Sequence, residues 1–406
     1  MKGWRKQILF YSIIGMMSSL FCSRALLTFF MAVFVLVSFF HAGIKKQIRN
    51  YFSSPLLWGI SLLFFLPLLS GLYSGDKNEW LDIIRIKLPL LFLPLAFAGP
   101  FTFSKKEWEW LAIIFITLIT AASIWSMVHY TTNISVINEG YLRAKSIITP
   151  LENDHVRFSW LISVTILMAG WLWIKRKKQD KIISWLLPVT TVWLIVFLHI
   201  LAARTGILSF YITVLIAVLW RIVKRVKILQ TITLATALIA LPVGAYFLLP
   251  TFHNRVQYFI YDLGYFSESH YLQGSNDGVR IISIKAGWNI MNTHPANGVG
   301  FGDVFTETKK WYAANYPQMA ETDKIYPGSE WMMYGAACGW PGFLLLTGIM
   351  MIPFFVSLQN KLCWWMLNST AAFSFLFDIG LEVQFGVFAY TFIVLWWWAW
   401  LKDEKM

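Results

Sequence analysis

Apolar runs of about 17 to 22 residues recur along this chain from end to end, and a helix of that length crosses the hydrocarbon core of a bilayer. Twelve such stretches read as spans: 8–22, 25–42, 55–72, 86–100, 109–129, 156–174, 182–201, 205–220, 228–249, 336–357, 362–380 and 384–401. Only 14% of the 406 residues are charged, where a soluble protein carries about a quarter. That deficit, with 22 Trp and 33 Phe, marks lipid as the main solvent. The opening Met-Lys-Gly-Trp-Arg-Lys-Gln resembles a signal peptide, but no small-residue cleavage site follows and Arg24 leads straight into another apolar run. It reads as the start of a first membrane helix.

The net charge of +13 raises nucleic acid as a partner, but the basic residues are not gathered on one domain. They sit in short clusters between the runs, as in the cytoplasmic loops of a membrane protein. With the N-terminus placed inside, the inside segments hold Lys2, Arg5 and Lys6; Lys45, Lys46 and Arg49; Lys105 and Lys106; Lys175 to Lys178 with Lys181; Arg221, Lys224, Arg225 and Lys227; Lys361; and Lys402 and Lys405. These are more than half of the 34 basic residues. Both termini are therefore expected on the cytoplasmic side. Three cysteines, Cys22, Cys338 and Cys363, lack metal-like spacing and read as buried structural thiols.

The chain divides into an N-terminal membrane bundle over 1–249, a long outer loop over 250–335 and C-terminal membrane helices over 336–406. The loop is too aromatic (Tyr258, Tyr261, Trp288, Trp311, Tyr312) for a disordered linker. Within it, Asp277 is a plausible N-cap for a helix over 279–292 that ends before Pro295. Ile281, Ile284, Trp288 and Met291 share one face of that helix, which should pack on the bundle or lie on the membrane.

Ionisable residues at membrane depth are costly and mark function. Arg204, in Leu-Ala-Ala-Arg-Thr-Gly, has almost no polar loop around it and suits an anion at the membrane face; the alternative is an arginine snorkelling to the headgroups. Arg280 opens the loop helix, where a cation is electrostatically misplaced unless an anion is near; the alternative is a solvated surface arginine. The run His294-Pro-Ala-Asn-Gly-Val-Gly-Phe-Gly-Asp303 could offer backbone N–H groups to a phosphate, or form a tight turn against the bundle. His294 could act as a general base or be structural. No Asp-x-Asp pair of the metal-binding type is seen at the outer face, so no metal is expected.

Four pieces in order resemble the O-antigen ligase and polymerase superfamily of bacterial envelope enzymes. They are Ser70-Gly71-Leu72-Tyr73-Ser74 followed by Ile86-Lys87-Leu88-Pro89; Arg204-Thr205-Gly206; Arg280, Trp288, Pro295 and Gly298-Val299-Gly300-Phe301-Gly302-Asp303; and Gly339-Trp340-Pro341-Gly342. The resemblance implies an all-α polytopic membrane protein of about twelve transmembrane helices in the inner membrane, similar to the type C glycosyltransferases, with its active loop in the periplasm. It implies a glycosyl transfer without metal or other cofactor, from a polysaccharide on undecaprenyl diphosphate to lipid A-core. Arg204 and Arg280 match the arginines thought to hold the donor diphosphate. The family's base is a histidine about ten residues before Gly-x-x-Gly, and that place holds Gly328, followed by Ser329. Glycine cannot transfer a proton. His294 or Glu330 is then expected to substitute, unless the loop is shifted or the chain is a divergent, weakly active member. His155, Arg157, Ser329 and Lys285 are expected substrate contacts, with helix-end anchoring the alternative for the first two. A polymerase of the same superfamily and, in another class, a lipid-linked sugar transporter are the competing readings. A transporter usually shows an internal repeat and polar residues near the midplane, and neither is evident.

Overall fold

The computed structural model describes residues 3–403 except 102, 152, 177–180, 227 and 268–270. Lys2, Lys177, Lys178, Lys227, Lys405 and Glu152 lie outside the described residues, as do the side chains of 181, 265–267 and 403. The rest is helical, with no strand among the described residues: α1 (Gly3–Ser19), α2 (Arg24–Phe39), α3 (Ile44–Ser53), α4 (Pro55–Ser70), α5 (Lys77–Phe97), α6 (Lys105–Thr132), α7 (Ile134–Tyr141), α8 (His155–Arg176), α9 (Lys181–Leu201), α10 (Arg204–Val223), α11 (Ile228–Leu248), α12 (Pro250–Ser267), α13 (Asp277–Thr293), α14 (Val304–Asn315), α15 (Glu330–Phe355), α16 (Lys361–Leu376) and α17 (Gln384–Asp403). Each of the twelve apolar stretches coincides with a helix.

Length and composition alone qualify seven helices among the described residues to cross a membrane: α6, α8, α9, α10, α11, α15 and α17. The others fall short for identifiable reasons. α1 has 17 residues and α2, α4 and α16 have 16 each. At 1.5 Å per residue that is roughly 24 Å, short of a hydrocarbon core of about 30 Å. α5 is long enough but opens with Lys77, Glu79, Asp82 and Arg85. That polar start is why its beginning was invisible to hydropathy. Asp76 caps it, accepting from the Asn78 and Glu79 amides at 3.0 Å.

The helix ends segregate. Arg5, on α1, donates to the carbonyls of Val37, Ser38 and Pro100, which joins the start of α1 to the ends of α2 and α5. Lys6 pairs with Glu107 at the start of α6, and Glu109 with Arg176 at the end of α8. The start of α4 and the ends of α15 and α17 line one groove beside α3. These are the ends whose basic clusters the charge pattern assigned to one side, and the start of α1 and the end of α17 lie with them. At the other end, Tyr141 Oη donates to the last carbonyl of α9 at 2.7 Å, and Asn254, on α12, donates to the Asn138 carbonyl at 2.9 Å.

Residues 250–335 are built from α12, α13 and α14, and α13 packs on α15. Two local expectations change. Asn276, not Asp277, holds the N-cap position of α13 and makes no side-chain cap; Asp277 is already helical. The Asp262 carboxylate instead accepts from the Asn276 and Asp277 amides at 3.2 and 2.8 Å. The buried face of α13 is Val279, Ile282, Ala286 and Ile290 with Met291, so of the expected face only Met291 is buried, while Ile281 and Ile284 turn elsewhere and Trp288 is exposed. Cys22 is exposed too, in the α1–α2 turn, which corrects its reading as a buried thiol.

The glycine run is the tight turn and not a phosphate cradle. α15 breaks at Gly339 (φ 67°). Pro341 has no N–H for the Ala337 carbonyl four residues back. The Trp340 amide turns to the Pro295 carbonyl, which frees the Ala336 carbonyl as well. Val299 and Gly300 supply the missing amides at 3.0 and 2.8 Å, while those of Phe301 and Gly302 go to Ser70 Oγ and Ser74 Oγ. A Cβ on Gly298 would stand 2.3 Å from the Ala337 backbone, so only glycine permits this approach.

Candidate functional site

The turn from α9 to α10 is two residues long, Ala202 and Ala203, with Ala202 at φ 48°. It delivers Arg204 directly at the first turn of α10. Gly206, next on that turn, lets α10 close on α8: its Cβ would stand 2.4 Å from Ser159 Cβ, and Ser163 Oγ donates to its carbonyl at 2.6 Å. A cation at a helix N-terminus faces the positive end of the dipole and needs a counter-charge. Asp277, at the start of α13, supplies it through an ion pair with Arg204 Nη1. The guanidinium also lies 5.0 Å from the Phe259 ring centroid.

Arg204 and Arg280 line one cavity of about 330 Å³. Thr205, Asp277 and Ser374 complete its polar part, and Leu208, Phe259, Ile281, Ile284, Phe373 and Phe377 stand in its apolar wall. The face of α13 that does not pack on the bundle therefore faces this cavity. Arg280 is one turn along α13 from Asp277. Among the described residues, no hydrogen bond or ion pair engages its side chain. Burial pushes its pKa down, with Asp378 the strongest counter-charge and Arg204 and Arg157 opposing it. Two guanidiniums beside an apolar wall suit an anionic headgroup carrying a hydrocarbon tail, because their paired donors match phosphate oxygens.

A second layer of charge stands behind. Arg157 Nη2 contacts Asp378 at 2.9 Å and donates to the Ile379 carbonyl, and Arg157 Nη1 reaches Asp154 at 3.4 Å. Burial pushes the Asp378 carboxyl up, while Arg157 and Arg280 pull it down. Arg255, on α12, is buried, stacks 4.8 Å over the Tyr141 ring and donates to the Lys145 carbonyl at 2.9 Å. Its charge is felt by His155, and Asp277, the partner of Arg204, faces it in turn. Neither Arg255 nor Asp378 was singled out from the sequence. An aspartate in the apolar run 362–380 was the available signal for Asp378; the helix ends at Leu376, just before it.

The remaining residues divide. His155 opens α8 beside this cluster. Ser329 is buried at the N-cap of α15, and its Oγ donates to the Phe375 carbonyl at 3.4 Å. Gly328 touches the site itself: a Cβ there would stand 2.8 Å from Arg280 Cγ. Glu330 is fully buried and accepts from the Leu381 amide, and its Oε2 has no hydrogen-bond partner among the described residues. It faces Lys87, whose Nζ holds Glu382 at 2.5 Å and the Leu381 carbonyl at 2.9 Å. Glu330 does not line the cavity. His294 is exposed at the far end of α13, roughly 21 Å along the helix from Arg280. Lys285 is exposed on α13. The structure thus brings Arg204, Arg280, Arg157 and His155 into one neighbourhood and leaves His294 outside it. Among the described residues, no three His, Cys, Asp or Glu side chains are placed to share a metal ion.

Residues 189–347 match a family model described as O-antigen ligase, which covers less than half of the chain but includes Arg204, Arg280, Gly328 and the Gly339 break. No curated protein matches the chain.

Proposed function

We propose, with the support of the match over 189–347 to the O-antigen ligase model, a ligase that moves a polysaccharide from undecaprenyl diphosphate to lipid A-core at the periplasmic face of the inner membrane. The observation that carries this reading is the cavity in which Arg204 and Arg280 stand together against an apolar wall. In the proposed reaction the acceptor hydroxyl attacks the donor's anomeric carbon, the bond to the diphosphate breaks, and negative charge develops on the leaving group. Fixed cations stabilise that charge without protonating it, and pre-positioned charge of this kind is a large term in catalysis. Arg204 and Arg280 would hold the diphosphate, the apolar wall would take the start of the polyprenyl chain, and Arg157, His155, Ser329 and Lys285 would contact substrate. Glu330 or His294 would take the acceptor proton in place of the base missing at Gly328. Glu330 stands two residues from Gly328, whereas His294 stands at the far end of α13.

A deletion strain, analysed for surface and carrier-linked glycolipids, tests the reaction. Polymer accumulating on the undecaprenyl carrier is expected; single repeat units there would make the protein a polymerase instead. Complementation with Arg204→Ala or Arg280→Ala should leave the accumulation in place while the protein inserts normally, and normal lipopolysaccharide ladders would overturn the site. Glu330→Gln and His294→Ala separate the two proton acceptors. Unchanged transfer in both removes both from the mechanism.

A further inference from the structure

α3 turns 110° away from α2, so it does not continue that helix across a bilayer. Its residues divide by direction into three arcs. The first faces the protein. Gln47 and Tyr51 are buried; Gln47 Nε2 donates to the Leu95 carbonyl at 2.8 Å, and Asn50 Nδ2 to the Ala98 carbonyl at 3.4 Å. These carbonyls belong to the end of α5, where a helix runs out of its own donors. α3 is therefore tied to the bundle through polar bonds. The second arc is Ile44, Ile48 and Phe52, spaced i, i+4, i+8 and exposed by 42, 45 and 69%. The third is Lys45, Lys46 and Arg49, all exposed, on a helix that contains no acidic residue.

Water would penalise the second arc and a bilayer centre the third. Only the boundary between headgroups and acyl chains suits both. The neighbouring groove, about 450 Å³, takes Asn50 and Ser53 from α3 and repeats the chemistry with residues of α4, α15 and α17. Ser53, Ser54 and Lys402 form its polar rim; Ile352 and Phe355 form its apolar side, with Phe355 81% exposed. Lys402 Nζ is held 4.7 Å over the Trp398 ring.

We propose that α3 and this groove form a binding site for anionic phospholipid of the leaflet at the end of the bundle where α1 starts and α17 ends. Ile44, Ile48 and Phe52 enter the acyl layer, while Lys45, Lys46, Arg49 and Lys402 meet the phosphates. The site is independent of the arginine cavity, which lies at the opposite end.

The test uses the full-length protein, reconstituted in vesicles of equal parts phosphatidylethanolamine and phosphatidylglycerol, re-extracted in mild detergent and assayed for retained lipid. Phosphatidylglycerol should be enriched over its share of the vesicle, and molar salt, which shrinks the screening length to about 3 Å, should abolish the enrichment. Retention in the vesicle's own proportion, or enrichment that ignores salt, overturns the proposal on the unaltered protein. K45Q/K46Q/R49Q should lower the enrichment by up to roughly fivefold per charge, the equivalent of about 1 kcal/mol each. K105Q/K106Q, at the same end but on α6, should leave it in place. Equal effects of the two variants would reduce the site to general surface charge.

Discussion

Gly328→Ala adds one methyl group beside the cavity. Its Cβ would stand 2.8 Å from Arg280 Cγ, 3.0 Å from Ser283 Oγ and 3.6 Å from Arg280 Cδ. Carbon pairs rest at about 3.5–4.0 Å. Gly328 is not in the left-handed region, so alanine meets no backbone strain and the effect is purely steric. The 328 backbone cannot retreat freely, because its amide donates to Ser283 Oγ at 3.0 Å. Cγ is near the root of the side chain, so swinging the guanidinium does not relieve the contact. Arg280 must change rotamer at its base and leave the cavity, or the 328 segment must shift. Overpacking of this kind costs about 1–3 kcal/mol. Borne by the placement of Arg280 in the transition state, that is roughly a 5- to 150-fold loss of transfer rate. The assay is transfer from a lipid-linked polysaccharide to lipid A-core by purified enzyme, alongside a melting curve. Transfer within twofold of the parent in a normally folded Gly328→Ala would refute the reasoning, since Arg280 would then tolerate displacement or do nothing. Gly328→His enlarges the same clash, so grafting the family's base at this position should depress transfer further, not restore it.

Asp277→Asn removes the charge that competes for Arg204, so donor KM should fall by a few-fold while the melting temperature changes little; a raised KM would mean that Asp277 aims Arg204 and does not merely occupy it. Lys87→Met leaves the Glu382 carboxylate, only 7% exposed, without its cation, at a cost of about 3–5 kcal/mol. A melting curve in detergent reads this, and Lys87→Met with Glu382→Gln should recover part of it; no recovery would break the assumed coupling.

Helix positions were legible because a run of apolar residues in lipid needs no periodicity to declare itself. Their beginnings were less so: α5 starts nine residues before its apolar stretch, on a capped polar turn. α3 has no apolar run at all. The face of α13 was misassigned because Ile281 and Ile284 line a cavity, and an apolar residue looks the same to a sequence whether it fills a core or a binding pocket. Arg204 and Arg280 stood out because each broke a local rule: a charge in an apolar setting, and a cation at a helix start. Asp378 and Lys87 broke the first rule too, but their partners Arg157 and Glu382 are hundreds of residues distant in sequence, so nothing nearby revealed the pairing. The glycine run left its two readings open for the converse reason. Its spare amides are real, and the carbonyls that take them are released by Gly339 and Pro341, some forty residues downstream.

The pairing of Arg204 with Asp277 means that an incoming anion does not fill an empty seat; it must evict a resident. A membrane is crowded with singly charged phosphodiesters, and each would trade one carboxylate contact for one phosphate contact at little net gain. A diphosphate can take Arg204 from Asp277 and reach Arg280 with its second phosphate, so only the bivalent ligand profits from the exchange. On the proposed reading, the aspartate makes the cavity count phosphates, screening bulk lipid out of a site that bulk lipid surrounds.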